Sequence, residues 1–231
     1  MVLSLAGRTA VPAAQPVPVR IGGFGGAAGL VQYLSAQRIE ALIDATHPYA
    51  AQISTNAAQA AAQTGTPLLA LKRPAWTAVT GDDWREVADA AEAAAALGAV
   101  PRRVFLALGR NELAPFTAAP QHHYLVRSVD PVEPPLAVPD AAYITARGPF
   151  AQAHEHTLLE RHRIEVIVGK NSGGAATYGK IAAARALGLT VIMLRRPALP
   201  DVATVDDPRD AMAWFDSWLD HQFPPSTKRG V

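Results

Sequence analysis

The stretch IEVIVGKNSGGAATYGKIAAARALG, residues 164–188, indicates the fold class of this chain. It opens with a run of branched apolar residues, passes into a polar turn that carries Gly169, Gly173 and Gly174, and ends in alanine-rich sequence. A continuous apolar run predicts a strand covered on both faces, and the alanine-rich part predicts a helix. A buried strand that leads through a tight turn into a helix predicts a βαβ unit in a parallel sheet.

The same alternation recurs along the whole chain and predicts an α/β protein with parallel sheets and helices on both faces. Strands are predicted at residues 2–6, 39–44, 67–72, 104–108, 124–129, 142–146, 164–169 and 190–194. Helices are predicted at residues 27–37, 51–64, 83–97, 111–117, 150–162, 177–187 and 208–221.

The chain also resembles itself over two segments, residues 38–74 and 163–197. Each opens with Arg-Ile-Glu, runs through strand, polar turn, helix and strand, and ends in a basic pair followed by proline. We interpret this as two Rossmann-like domains, residues 1–100 and 101–231, joined by the Gly- and Pro-containing stretch 98–103. The alternative is that any two alanine-rich βαβ units would align this well.

Composition limits the function classes. The 231 residues are 49% hydrophobic, and 21 Lys and Arg balance 20 Asp and Glu, which argues against a nucleic-acid-binding surface. The absence of cysteine excludes disulfides and thiolate chemistry. The chain start is unlike a secretory signal, and no run of 18 apolar residues occurs, so we expect a soluble cytoplasmic protein without a membrane partner.

Ligands of open α/β sheets bind beyond the carboxyl ends of the strands, so the turns there are the candidate sites. Five turns qualify, at residues 44–49, 109–112, 127–128, 146–149 and 169–174.

The turn 169–174 suits a phosphate. Its glycines permit close approach, Asn171 or Ser172 can hydrogen-bond, Lys170 adds a cation, and the next helix presents free N–H groups. Arg147 and Gly148 follow a neighbouring strand and add a guanidinium. The alternative is a helix cap in which Asn171 or Ser172 serves only its own helix. The order of residues is not that of a Walker motif.

The loop that holds Gly23, Gly25 and Gly26 matches the G-x-G-x-x-A dinucleotide fingerprint, with Asp44 at the expected distance. Three prolines precede it, however, which argues against a central strand there. We therefore interpret it as a glycine-rich loop that packs against a flat ligand.

The turn 44–49 offers His47 and Tyr49 for proton transfer, with Thr46 as a helix N-cap. A capped helix start with no chemical role remains the alternative. No metal site is predicted, because the paired histidines at 122–123 and 154–156 lack ligand spacing.

Five motifs in order, IDATHPYA (43–50), ALGRNEL (107–113), TARGPF (145–150), GKNSGG (169–174) and MLRRP (193–197), resemble the precorrin-6A reductase family of cobalamin biosynthesis. The resemblance implies NADPH-dependent hydride transfer that reduces precorrin-6A, a polycarboxylate tetrapyrrole, to precorrin-6B. It places NADPH on Gly109, Arg110, Arg147, Gly148, Lys170, Asn171, Ser172 and Gly173. It places the tetrapyrrole on Gly23, Gly25, Gly26, Thr46, His47 and Tyr49, with His47 or Tyr49 as proton donor.

One feature departs from the family pattern. Members usually begin with a strand and a G-G-T-x-E-A turn before the segment that here starts at Val2. We therefore expect either that the start of the chain was assigned late or that the first domain lacks its first strand–helix unit. The alternative function is a non-catalytic two-lobed module that binds a nucleotide or a small anion, without preference for NADPH over NADH. The sequence leaves open whether the substrate carries cobalt and what the oligomeric state is, a monomer being one option.

Overall fold

The computed structural model describes residues 1–7 and 12–222, which form parallel sheets and helices. The strands are β1 (Leu3–Leu5), β2 (Val19–Ile21), β3 (Leu42–Asp44), β4 (Leu68–Leu71), β5 (Asp83–Val87), β6 (Arg103–Ala107), β7 (His123–Ser128), β8 (Ala141–Thr145), β9 (Val166–Lys170), β10 (Thr190–Leu194) and β11 (Thr204–Val205). The α-helices are α1 (Gly26–Ala36), α2 (Ala51–Thr64), α3 (Ala90–Ala96), α4 (Gln152–Arg161), α5 (Gly179–Leu187) and α6 (Pro208–Gln222). The predicted α/β class is confirmed.

Two compact units make up the chain, and each is built from two separate stretches. Unit 1 contains Met1–Ile21 and Ala75–Arg196, and unit 2 contains Gly22–Pro74 and Pro197–Val231. This division differs from the predicted domains, residues 1–100 and 101–231. The reason is strand pairing: β5 pairs with β10, and β11 pairs with β4, so the chain changes unit after Pro74 and after Arg196, in addition to the change after Ile21, and not near residue 100.

Unit 1 contains a six-stranded parallel sheet in the order β5-β10-β9-β6-β7-β8. From β6 the chain adds β7 and β8 on one side and then returns to place β9 on the other. The order of the strands therefore reverses between β6 and β9, which is where open α/β sheets bind ligands. Fully buried apolar side chains, including Phe105, Leu125 and Ile167, form its core. Unit 1 also holds the separate parallel pair β1 and β2.

Unit 2 contains a three-stranded parallel sheet in the order β11-β4-β3. Helices α1 and α2 pack on each other through Leu30, Leu34, Ala57 and Ala60, which form a small apolar cluster. Small alanine side chains on α2 allow this close approach of the two helices.

The internal similarity has a structural counterpart in the backbone. Arg38 and Arg163 are the two non-glycine residues with positive φ among those described, at 50° and 52°. Each ends a helix with the same hydrogen bonds, because Ile39 N donates to Leu34 O and Ile164 N donates to Leu159 O. Each is followed by a strand, a helix and a parallel strand, β3-α2-β4 and β9-α5-β10.

The predicted helix 83–97 is wrong in its first part, where β5 forms instead. Asp89 begins α3, and its side chain accepts hydrogen bonds from the N–H groups of Ala91 and Glu92. Glu92 in turn accepts from Ala88 N. This Asp-x-x-Glu pattern marks a helix start and was the available signal. Short strands β2 and β11 were not predicted, and the predicted helix 111–117 is two 3-10 segments.

Candidate functional site

The carboxyl edge of the unit 1 sheet collects the turns that were predicted to hold the cofactor. Gly109 and Arg110 follow β6, Arg147 follows β8, and Lys170 ends β9. Since the sheet is parallel throughout, all three turns lie at the same edge. Ala107 pairs with Gly169, so the turns after β6 and β9 lie side by side at the point where the strand order reverses.

The glycine-rich turn after β9 presents unused backbone donors. Gly173 and Gly174 have φ of 69° and 72°, which side-chain-bearing residues rarely adopt. Within residues 12–222 no protein acceptor bonds their N–H groups, although Gly173 is buried. A buried N–H without an acceptor costs free energy, so this turn is suited to an anion that supplies one. Helix α5 begins at Gly179, after a 3-10 turn at Ala175–Thr177, and not directly at the glycines.

Lys170 lies in this edge with its ammonium 2.5 Å from the Glu112 carboxylate. Both side chains are largely buried, at 16% and 28% exposure. A Cβ added to Gly109 would lie 2.5 Å from Glu112 Oε2, so the carboxylate lies against the glycine that follows β6. Sequence reasoning missed Glu112. The signal was its place three residues after Gly109, in the same strand-end turn.

Asn171 holds the turn rather than presenting its amide to a ligand. Its Oδ1 accepts from Trp76 N at 2.8 Å, and its Nδ2 donates to Trp76 O at 2.9 Å. Trp76 Nε1 donates to Gly174 O at 2.9 Å, which ties the indole to the same turn. Ser172 N donates to Lys170 O. The helix-cap alternative does not describe this arrangement, because α5 has no side-chain cap.

The turn after β8 reaches the glycine-rich turn through backbone contacts. Phe150 N donates to Ala176 O at 2.9 Å, and a Cβ added to Gly148 would lie 3.5 Å from the same oxygen. Arg147 and Gly148 are exposed. The prediction that Arg147 and Gly148 follow a strand next to β9 is wrong, because β6 and β7 lie between β9 and β8. The segments that follow the two strands are nevertheless bonded to each other through Phe150 and Ala176.

Arg127 does not serve the site in the way its position at a strand end predicted. Its guanidinium makes two hydrogen bonds to Glu155, of 2.5 and 2.8 Å, and lies 3.8 Å from the centre of the Phe150 ring. Both charged side chains are buried, at 7% and 3% exposure. A bidentate pair of this kind satisfies both charges internally, so Arg127 is a core residue and not a ligand contact.

A second cation, Lys180, is buried next to this pair in the first turn of α5. Its ammonium donates to Thr177 O at 2.8 Å and lies 4.9 Å from the Trp76 ring. Burial lowers its pKa to about 8, and the Arg127 charge contributes in the same direction. Sequence reasoning assigned Lys180 no role, because a lysine in a helix is usually exposed.

In unit 2, Asp44 organises the turn between β3 and α2. Oδ1 accepts from Thr46 N and Thr46 Oγ1, at 3.0 and 2.6 Å. Oδ2 accepts from Ser54 Oγ at 2.6 Å and from Lys72 Nζ at 2.8 Å. Burial alone would raise the pKa of Asp44, but the bonds from Lys72, Ser54 and Thr46 outweigh it and lower the pKa. Thr46 was predicted as the N-cap of α2, but that position is Ala50, and Thr46 bonds Asp44 instead.

His47 and Tyr49 share this turn. Tyr49 N donates to His47 Nδ1 at 3.2 Å, and the two rings lie 5.6 Å apart. With Nδ1 acting as an acceptor, the neutral imidazole carries its proton on Nε2. His47 is exposed, so this N–H can reach a bound molecule.

Gly23, Gly25 and Gly26 form the loop that begins α1. Gly25 and Gly26 have φ of 79° and 88°, and a Cβ at Gly29 would collide with Phe24 O at 1.7 Å. The glycines thus permit a tight entry into the helix. The substrate role of this loop stays a prediction.

Residues 1–7 and 12–222, which the structure describes, contain no group of three or more His, Cys, Asp or Glu side chains that could hold a metal ion. None of their helices is long and apolar enough to cross a membrane.

Comparison with known proteins agrees with the resemblance inferred from the motifs. The family model described as precorrin-6x reductase CbiJ/CobK matches residues 1–216. A precorrin-6A reductase of Sinorhizobium sp is 56% identical over 217 residues, which cover 94% of this chain and 83% of the relative. A precorrin-6A reductase of Rhodobacter capsulatus is 52% identical over 230 residues, which cover 100% and 89%. A solved structure of CobK precorrin-6A reductase superposes with a TM-score of 0.90 at 52% identity, covering 94% of this chain and 86% of that one.

Proposed function

The chain belongs to the precorrin-6x reductase family and reduces precorrin-6A in cobalamin biosynthesis, and we propose that NADPH bound at the carboxyl edge of the unit 1 sheet supplies the hydride. The observation that carries the cofactor proposal is the turn after β9, where the N–H groups of Gly173 and Gly174 have no protein acceptor within residues 12–222. Phosphate oxygens are acceptors that fit such a turn.

The residues around this turn fit the cofactor. Lys170 offers a cation beside the free N–H groups, and Arg147 on the neighbouring exposed turn offers a second. Gly109 and Arg110 follow β6 and stay proposed contacts, with the Glu112 carboxylate packed against Gly109. Dinucleotides bind at the point where the strand order of such sheets reverses, which here lies between β6 and β9. Asn171 contributes by holding the turn, and Ser172 stays a proposed contact.

The protein's role in the reaction is to bind the two reactants, orient them and exclude water, while the hydride chemistry belongs to NADPH. Reduction of a carbon–carbon double bond also needs a proton. We assign its delivery to the turn between β3 and α2, where His47 Nε2 carries a proton and Tyr49 offers a phenol. Asp44 and Lys72 hold this turn in place, because both hydrogen-bond the Thr46 hydroxyl. The glycine loop before α1, with Gly23, Gly25 and Gly26, is proposed to contact the tetrapyrrole.

The non-catalytic binding module considered above has no support in the comparisons, since the relatives are reductases. It would bind a nucleotide without turnover. The enzyme should consume NADPH only when precorrin-6A is present, measured as loss of the reduced nicotinamide absorbance. NADPH binding without substrate-dependent oxidation would contradict the proposal.

The cofactor site is tested by removing its cations. Lys170→Ala and Arg147→Ala should each weaken NADPH binding about 10- to 100-fold, the usual worth of a hydrogen bond to a charged group. Because Lys170→Ala leaves Glu112 unpaired, the double variant Lys170→Ala with Glu112→Gln separates the lost cation from a stranded carboxylate. Arg161→Ala is the matched control, since this exposed arginine ends α4 at the opposite edge of the sheet. Unchanged affinity in both single variants would place the cofactor elsewhere.

A further inference from the structure

The glycine-rich turn is held at two backbone carbonyls, one on each side of its free N–H groups. Arg196 Nε donates to Asn171 O at 2.8 Å, and Trp76 Nε1 donates to Gly174 O at 2.9 Å. The peptides that carry the free N–H groups of Gly173 and Gly174 lie between these two points. Their direction is therefore set by bonds made to the peptides on either side.

Asn171 joins the two anchoring residues. Its amide bonds both Trp76 N and Trp76 O, a paired arrangement that resembles one rung of a β-ladder. Its own carbonyl accepts from Arg196. The residue is only 8% exposed, so the amide lies inside unit 1 and not in the ligand space. Only a side chain that carries both a donor group and an acceptor group, as an amide does, can bond Trp76 N and Trp76 O together.

The anchoring residues also lie beside two of the three points where the chain changes unit. Trp76 is the second residue after Pro74, and Arg196 is the last residue before Pro197. Two of the three chain crossings, those after Pro74 and after Arg196, are thus bonded to the turn through Asn171. Residues 77–80, which follow Trp76, are exposed.

From these contacts we infer that Asn171 is a positioning residue for the reductase, which aligns the phosphate-binding N–H groups by fixing the glycine-rich turn to the segments that hold Trp76 and Arg196. The inference rests on the proposed cofactor site and adds that Asn171 acts through Trp76 and Arg196 rather than through contact with NADPH. By reciprocity, a phosphate held at Gly173 and Gly174 should stabilise the bonds between Asn171 and Trp76.

The test measures NADPH affinity by isothermal titration calorimetry and stability by thermal unfolding, for the same preparations. Asn171→Ala should raise the Kd for NADPH about tenfold or more. In steady-state assays the KM for NADPH should rise while kcat at saturating NADPH and the KM for precorrin-6A stay close to wild type, because the loss is one of uniform cofactor binding. A residue that only stabilises the fold would lower the unfolding temperature and leave the Kd of the folded protein unchanged.

Two milder variants decide the question if Asn171→Ala fails to fold. Trp76→Phe keeps an aromatic ring and the backbone but loses the bond to Gly174 O, and Arg196→Ala loses the bond to Asn171 O. Each should raise the Kd for NADPH several-fold, whereas the exposed neighbour variant Arg195→Ala is the matched control and should bind NADPH as wild type does. Wild-type affinity in both Trp76→Phe and Arg196→Ala would overturn the inference.

Limited proteolysis supplies a readout specific to positioning. Bound NADPH should slow cleavage within residues 77–80 in wild type and in Arg195→Ala, and this protection should be lost in Asn171→Ala or Trp76→Phe. Protection that persists in the folded variants would contradict the link between the turn and the crossing. If wild type does not bind NADPH, both the proposed cofactor and this inference are wrong. If wild type binds NADPH and these variants bind it equally well, only the inference is wrong.

Discussion

Replacing Lys180 with methionine is expected to make the protein more stable near neutral pH and to remove part of its pH dependence. Lys180 is 4% exposed, and burial lowers the pKa of its ammonium from the ordinary value of 10.5 to about 8. The difference, 10.5 − 8 or about 2.5, corresponds to about 3 kcal/mol, since one pKa unit is worth about 1.4 kcal/mol. Methionine avoids this cost but loses the hydrogen bond to Thr177 O, worth about 1 to 2 kcal/mol. The net gain expected at pH 7 is about 1 to 2 kcal/mol.

The sign of the pH effect follows from proton binding. Between pH 8 and 10.5 the unfolded chain keeps the Lys180 proton while the folded protein loses it, so the stability of wild type rises with pH over that window. Below pH 8 both states are protonated and the full cost is present. From pH 7 to 9.5 the linkage predicts that wild type gains about 2 kcal/mol relative to Lys180→Met.

Urea unfolding at several values of pH between 7 and 9.5 measures this difference. Other titrating groups contribute to both proteins, so the wild-type free energy of unfolding minus that of the variant isolates Lys180. A difference that stays constant over the range would refute the reasoning, because the lysine would then titrate alike in the folded and unfolded states.

The remaining predictions concern other buried or strained positions. Arg127→Met or Glu155→Gln should each cost about 3 to 5 kcal/mol in urea unfolding, because one charge of the buried pair is left alone, and the double variant should recover much of the loss. Asp44 has a lowered pKa, so its stabilisation is complete above its ordinary pKa of 3.8 and is lost as pH falls through the lower folded value; Asp44→Asn should abolish that part of the acid sensitivity, seen in unfolding curves below pH 4. Gly173→Ala should weaken NADPH binding, since alanine at a φ of 69° costs about 1 kcal/mol and shifts the turn, and wild-type affinity would argue against a phosphate there.

Local patterns in the sequence predicted the elements that depend on local physics. Strand β10 and helix α2 have the predicted bounds, because apolar runs and 3.6-residue spacing report directly on which faces are buried. The motif order also identified the family, which the comparisons confirm. The turn after β9 was located for the same reason: glycines between a buried strand and a helix permit the positive φ angles that a tight turn requires.

Local patterns did not predict which strands pair when the strands are far apart in the sequence. Asp83 begins β5, which pairs with β10 about a hundred residues later, and this pairing decides that the segment after Pro74 belongs to unit 1. The composition of residues 83–97 predicted a helix over the whole segment. That prediction was wrong for β5, because helix propensity is weaker than the hydrogen bonds and burial that a sheet provides.

The candidate site divides in the same way. Residue types alone determined that glycines, a lysine and an arginine would follow the strands of one half, and the parallel sheet brings those turns to one edge. Only the tertiary structure decided that Arg127 turns inward to Glu155, that Lys170 meets Glu112, and that the amide of Asn171 bonds Trp76 across 95 positions. The sequence determines which chemical groups a side chain carries. Whether those groups are available to a ligand depends on which distant residues the fold places beside them.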